Sequence, residues 1–503
     1  MNTDQVPIGH NGPSKIKSAP SEPGSSYNNH ARFDQMPQNY TESQADATAT
    51  TGSHVEYPSR SKQPAHAPNG NTDNFKGRTV DPSDTGRTTD DASFYSYHSA
   101  RDLANFVKDF YGRTFNNQSD IYMMPSDSAE YQRLNKQHYA FVLGLNGLFP
   151  CADSVNELLA PREGERPAIL DLGCGSGIWA MEVATQFPHC EVVGLDLAPV
   201  PVDIETLPPN CRFEIDNADL GLQHYHNYFD LIYVRCIGSG ISDHRKMMLD
   251  VEACLKPNGI VFFIDGDQTI YQEDMVTPIA VGQERDEGGN PHDGSWLHRI
   301  AREIRYAAVY NGCDVDGLEN CIDYGIWDHE LIDPSTVKVA SMATPLGIWA
   351  KARDEDTQQR VLYTGSLVRQ DLMGASRGWH PMLLKYGIPQ ETLDKWSQRI
   401  DDELTSDKFR MSMRWRFTWG KRRANTTEDS TSGGDNETPA PTVPPATPPY
   451  QPSIADRTDD FRFMDIYHTR EEAAAMADLR RLKAKDLPTP MVVKIKKQLS
   501  SSG

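Results

Sequence analysis

Between 165 and 266 the chain alternates short, almost continuous apolar runs with helix-patterned stretches, and few folds accept that alternation. ERPAILDLG reads as a strand running into a glycine-rich turn, and Ile178 to Phe187 as a helix stopped by Pro188. CEVVGLDL and CRFEID read as two further strands, and FDLIYVRC as a fourth. Asp243 to Leu255 carries Met247, Val251, Cys254 and Leu255 at helical spacing, and GIVFFIDG is again a buried strand. Strands apolar on both faces need cover on both faces. The pattern therefore predicts an α/β fold, a doubly wound and mostly parallel sheet with helices on either side.

The flanks are different. No leucine occurs before Leu103, and Ser, Thr, Asn, Pro and Gly dominate residues 1–92. Such a segment cannot bury enough apolar surface to offset its chain entropy, so a disordered arm is expected. Residues 423–455 are rich in Pro, Thr and Ser and read as an extended linker. Residues 456–503 form a C-terminal tail, in which Thr469, Arg470, Glu471 and Glu472 make a capping-box pattern ahead of a short helix, 470–484. One block, 93–422, holds the core.

The net charge of −21 argues against a nucleic-acid coat. There is no apolar run long enough to span a membrane, the first residues show neither a basic nor an apolar stretch so no secretory signal is expected, and the eight cysteines are scattered without a CxxC pair. An intracellular protein, cytoplasmic or nuclear, with reduced thiols and no metal site is expected.

Chemistry concentrates in Ile169 to Ala180, ILDLGCGSGIWA. Glycines there admit a ligand close to the backbone at a helix start. Asp196, nineteen residues past Gly177 at the end of the next strand, can accept hydrogen bonds from ribose hydroxyls. Gly175-x-Gly177-x-x-Ala180 is a degenerate dinucleotide fingerprint, which leaves NAD or FAD as alternatives. Asp171, two residues before Gly173, favours a ligand carrying an ammonium and a sulfonium and would repel a pyrophosphate.

The stretch Asp171-x-Gly173-x-Gly175-x-Gly177, with Asp196, Asp216-Asn217-Ala218-Asp219 and FDLIYVR following, resembles the motif set of class I S-adenosylmethionine-dependent methyltransferases. Upstream, Tyr122, Pro125, Asp127, Glu130, Arg133, Leu134 and His138 resemble the N-terminal extension of fungal LaeA-like methyltransferases, a family of secondary-metabolism regulators. PPNCRFEIDNAD, LKPNGIVFFIDGD and RMSMRWRFTWGKR are similar to that family too, so the resemblance covers about 95–422. Two positions depart: Asn217 stands where an acidic residue is usual, and Asp243-His244 stands for a "DW" pair.

The resemblance implies a seven-stranded Rossmann-like sheet and S-adenosylmethionine as cofactor. Asp171 would hold the cofactor's amino end, and Gly173, Cys174, Gly175 and Gly177 would admit its methionine portion. Asp196 would bind ribose, Leu197 would cover the adenine, and Asn217 and Ala218 would meet its edge. Arg235, with Cys236, would face the methyl group, and Tyr122 would close over the site. The implied partner is a small-molecule or protein methyl acceptor, with regulatory proteins recruited through the tails. His244, Asp243, Asp265 and His138 are the candidate bases, none assigned.

Past Asp267 the expectations are looser. They are a polar loop over 282–294, a helix from Trp296 to Tyr310, a strand near Tyr324–His329, helices over 366–384 and 390–404 capping the site, and a last strand at 410–419. Trp349, Trp379 and His380 can line a pocket or pack between helices. Arg414, Arg416, Lys421, Arg422 and Arg423 read as a solvated strand edge, with a weak nuclear signal in the last three, and Arg480, Arg481, Lys483 and Lys485 as a solvated helix face.

Overall fold

The computed structural model describes residues 105–284, 294–406, 409–424, 461–488 and 491. The expected arm at 1–92, nearly all of the linker and most of the 282–294 loop lie outside them. A hairpin, β1 (Val107–Phe110) and β2 (Arg113–Asn116), precedes helices α1 (Ser128–Leu145) and α2 (Ala152–Leu158). Then follow β3 (Ala168–Leu172), α3 (Ile178–Gln186), β4 (Glu191–Asp196), β5 (Cys211–Ile215), β6 (Phe229–Arg235), α4 (His244–Cys254) and β7 (Leu255–Gly266). The second half supplies α5 (Trp296–Tyr310), α6 (Val315–Tyr324), β8 (Lys338–Pro345), α7 (Glu355–Gly378), α8 (His380–Tyr386), α9 (Gln390–Thr405), β9 (Ser412–Lys421), β10 (Met464–Tyr467) and α10 (Arg470–Ala484).

The large sheet has the order β10-β8-β9-β7-β6-β3-β4-β5. β7, β6, β3, β4 and β5 pair in parallel, and β9 runs antiparallel to both β7 and β8. This is the expected doubly wound, mostly parallel methyltransferase sheet, with β10 added antiparallel on the outer edge of β8. Strand residues alternate between two cores, as period-two geometry requires. Ile169, Tyr233, Phe262 and Phe417 face one, under α1, α3 and α5. Leu170, Ile232, Val261 and Phe263 face the other, under α4 and α6. No helix among the described residues is long and apolar enough to cross a membrane.

Four expectations change. Residues 324–329 do not form a strand. Asp314 caps α6 by accepting from the Gly317 amide at 2.9 Å, Val315, Leu318 and Ile322 bury one helix face, and Gly325 at φ +81° ends it. The strand lies later, at β8, whose interior is buried throughout. The first cap helix starts at Glu355, where Asp354 accepts from the Thr357 amide.

Arg414 and Arg416 are not on a solvated edge. β9 is an inner strand, and both side chains are buried on the α6 side. Arg414 pairs with Asp267 and with Asp323 at 2.8 Å, and Arg416 donates to the Gly266 carbonyl at 2.6 Å. Arg480 is buried as well, donating to Ser341 Oγ at 3.2 Å across the β8 edge.

Candidate active site

In an open parallel sheet, ligands bind where successive crossovers leave in opposite directions. Here β4 and β5 extend the sheet on one side of β3, and β6 lies on the other. The segments leaving the carboxyl ends of these strands meet at that point. Gly173, Gly175 and Gly177 all have positive φ, at +76°, +56° and +76°. A Cβ on Gly173 would lie 2.1 Å from Ile237 Cγ2, and one on Gly177 2.6 Å from Phe213 Cζ, so side chains are excluded on both counts. The amides of Gly173 and Cys174 donate to the Leu195 carbonyl at 2.8 and 3.1 Å, and that of Gly175 to Asp196 Oδ2 at 2.8 Å. These N–H groups are committed to the chain itself. What the turn offers a ligand is close approach.

The turn borders an open cleft of about 780 Å³, mouth included. Of the expected site residues, Tyr122, Gly173, Cys174, Gly175, Asp196, Leu197, Asn217, Ala218 and Arg235 line it. Gly177 stands just behind the wall as the N-cap of α3. Asp171 is buried beneath the turn, 2% exposed. Further wall residues had been given no role at the site: Leu134 and Gln137 from α1, Asp216 of the quoted motif after β5, and Ile237, Gly240 and Ile241 from the loop after β6. Leu134 was visible only as part of the N-terminal resemblance. Gln137 carried a signal of its own, a polar residue on the buried stripe of α1 that also holds Arg133, Phe141 and Gly144.

The electrostatics centre on two carboxylates. Burial pushes the Asp171 carboxyl up to about 7, against the pull of the nearby Arg235 guanidinium, and Asp196 adds to the rise. Its Oδ2 is buried without a hydrogen-bond partner. Asp196 is also raised by burial, opposed by the Gly175 and Ala198 amides that it accepts from. Asn217 accepts from the Asp219 amide and donates through Nδ2 to the Gln118 carbonyl at 3.2 Å. It therefore ties the N-terminal segment to the cleft rim. Tyr122 packs over Gly240, where a Cβ would come within 2.8 Å of it. Cys236 sits at φ +60°, a rare conformation for a side-chain-bearing residue, anchored by its amide on the Ile264 carbonyl.

None of the four candidate bases lines the cleft. Asp243 caps α4 by accepting from the Lys246 amide. Asp265 accepts from the amides of Gly238 and Gly266, which shapes the loop after β6. His244 is buried behind that loop, its pKa lowered by desolvation. His138 lies beside Glu182 at 3.3 Å. Trp349 and His380 are packing residues, bonded to the Met411 carbonyl and to Ser397 Oγ.

The donor set can be tested against the expected cofactor. A buried carboxyl with one oxygen unpartnered suits an ammonium, a side-chain-free turn suits close passage of a chain, and a strand-end carboxylate suits vicinal hydroxyls. No pyrophosphate would tolerate Asp171 there. Sheet order, turn and carboxylates together have the form of a class I S-adenosylmethionine-dependent methyltransferase domain, and the residues present fit S-adenosylmethionine.

Residues 148–310 match a family model described as a methyltransferase domain. Over part of its length the chain is similar to proteins named as secondary metabolism regulators. It is 40% identical over 162 residues to the secondary metabolism regulator laeA of Coprinopsis cinerea, covering 32% of this chain and 40% of that protein. It is 30% identical over 158 residues to the methyltransferase pytC of Aspergillus terreus, covering 31% and 45%. The match spans less than half the length of either relative. Among solved structures, phosphoethanolamine N-methyltransferase 2 of Haemonchus contortus in complex with S-adenosyl-L-methionine aligns over 62% of each chain at 16% identity, with a TM-score of 0.32.

Proposed function

We propose that the protein binds S-adenosylmethionine in this cleft and transfers its methyl group to a small-molecule or protein acceptor. The observation that carries the reading is the buried Asp171 carboxyl, its Oδ2 without a hydrogen-bond partner, beneath a side-chain-free turn at the switch point of the sheet. Asp171 takes the ammonium end of the cofactor, Asp196 the ribose, and Leu197 with Ala218 the adenine. Tyr122 closes the site from the N-terminal segment.

Bound S-adenosylmethionine supplies a methyl group already activated on a sulfonium. The chain's own contribution is alignment and exclusion of water, and for an in-line displacement those act on much of the barrier. Among the cleft-lining groups, Tyr122 and Cys236 are held protonated by burial, so neither serves as a proton acceptor near neutral pH.

An intracellular site of action, cytoplasmic or nuclear, belongs to the proposal and is supported by eight free cysteines. A second reading, a regulator in which the cofactor is structural and the tails recruit proteins, is favoured by the printed name of the Coprinopsis relative.

Calorimetry with S-adenosylmethionine tests the first step. The wild type should bind, and Asp196→Ala should weaken binding by tenfold or more; equal binding by the two would refute the assignment. Radiolabelled methyl transfer into a cell extract, sorted into protein and small-molecule fractions, separates the readings. Label in either fraction supports the enzyme, and cofactor binding without label supports the regulator.

A further inference from the structure

The loop after β6 has little room on either side. Its residues Ile237, Gly240 and Ile241 line the cleft. Away from the cleft, a Cβ on Gly238 would lie 2.4 Å from Leu318 Cδ2 of α6 and 2.6 Å from Asp265 Oδ2. Toward the N-terminal segment, a Cβ on Gly240 would lie 2.8 Å from Tyr122 Cβ. The start of α6 also grips the loop by polar contacts. The Asp314 amide donates to the Ile241 carbonyl at 3.0 Å, and Cys313 Sγ donates to the Gly238 carbonyl at 2.9 Å. Asp314 Oδ2 accepts from the His244 amide at 3.1 Å, so the same residue fixes the start of α4. Groups packed this closely pass a displacement on, so the position of α6 sets the position of this wall.

The other end of α6 is held from beyond the linker. Tyr324, its last residue, donates to Asp478 Oδ1 of α10 at 2.6 Å. Arg481 of α10 donates to Asn320 Oδ1 at 2.7 Å, and its Cζ lies 4.7 Å from the centroid of the Tyr324 ring. α10 is itself seated: Ala473 and Met476 are buried with Val276, Val339 and Tyr467, and β10 pairs with β8. α6 has ten residues. A helix of that length spans about 15 Å, and this one helix joins the docked C-terminal segment to the cleft wall.

We propose that the C-terminal segment, residues 461–488, is a positioning element for the cleft. Docked on β8 and α6, it holds the 237–241 wall in the ligand-accepting place, and a ligand seated against that wall holds the segment down in return. Binding in the cleft and docking of the segment then favour each other by the same free energy, as linkage requires. Whatever draws the segment off α6 weakens binding, so the far side of the sheet becomes a place from which the cleft is controlled. The S-adenosylmethionine reading above supplies the probe.

Hydrogen exchange of the full chain, with and without saturating S-adenosylmethionine, tests it, because a segment that opens locally exchanges at a rate set by that opening. Coupling of ordinary strength should slow the amides of 464–484 by about fivefold or more, along with those of 173–177 and 237–241. Protection of the cleft with unchanged exchange over 464–484 overturns the proposal. Ala473→Glu supplies an arm that needs no ligand, since it puts a charge into the buried contact of α10, where Ala473 is 1% exposed. In the ligand-free variant the amides of 237–241 should exchange about threefold faster or more, while those of 195–198 and 216–218 across the cleft keep their rates. If both walls loosen alike, or neither does, the segment does not position the wall. The wild-type comparison decides where the variant does not fold. If S-adenosylmethionine protects nothing in the wild type, the cofactor reading fails, and the ligand-free variant decides the positioning by itself.

Discussion

At the scale of single residues, the site is set by what each position must leave out or leave unpaired. Gly173 combines a positive φ with a virtual Cβ 2.1 Å from Ile237. Gly173→Ala should cost about 1–3 kcal/mol through strain and overlap and should abolish cofactor binding at micromolar concentration. Thermal denaturation with and without ligand checks both effects.

Asp171 sets a pH dependence. Its carboxyl titrates near 7 in the free protein, above the ordinary carboxylate range, so the free fold prefers it neutral. Its contribution to folding is therefore fully present at low pH and eroded as pH rises from about 4 to 7. A ligand ammonium prefers it ionised. Affinity for S-adenosylmethionine should accordingly rise by roughly tenfold from pH 6 to pH 8 and then level off. Asp171→Asn should flatten the profile; an unchanged profile in that variant would assign the effect to another group.

At the scale of elements, the helix between β8 and β9 and the strand after the linker do the shaping. α7 packs on α1, and Arg133 joins them by donating to Glu130 Oε1 at 2.7 Å and to Asp371 on α7. The helix that brings Leu134 and Gln137 to the cleft is thus braced by the cap. β10 pairs with β8 from Met464↔Met342 to Tyr467↔Val339, and Phe461 and Phe463 are buried beside it.

Reading the sequence alone, 93–422 is expected to stand without its tails. The pairing of β10 predicts otherwise. A chain ended after Ala424 uncovers the β8 edge and loses two buried aromatic rings, each worth about 3–5 kcal/mol on truncation to alanine. It should melt several degrees lower and associate at micromolar concentration. Light scattering and a thermal melt check this, and a truncated chain that stays monomeric with an unchanged melting temperature would show β10 to be dispensable.

At the scale of the whole molecule, binding and folding are linked. The cleft takes its walls from β3, β4, β6, the loops after β5 and β6, α1 and the N-terminal segment, so a ligand that fits it stabilises contacts across the described fold. S-adenosylmethionine at a hundred times its Kd should add about 2.7 kcal/mol of stability and raise the melting temperature in proportion to the logarithm of its concentration.

Local periodicity was enough to read the α/β class, the strands from β3 to β7, the glycine turn and the carboxylates Asp171 and Asp196. Each of these is announced within a few residues by apolar runs, glycines and helix spacing, because it answers to short-range backbone physics. The remainder depended on pairing over long distances. Arg414 and Arg416 look like a solvated edge until Asp267, just past β7, and Asp323, from α6, bury and neutralise them. Leu134 and Gln137 become cleft residues only when α7 braces α1. β10 joins the sheet from beyond a linker that separates it from β8, the strand it pairs with. Composition and spacing carry no information about which distant partner a strand or an arginine will meet, so the packing of the folded chain alone decided these.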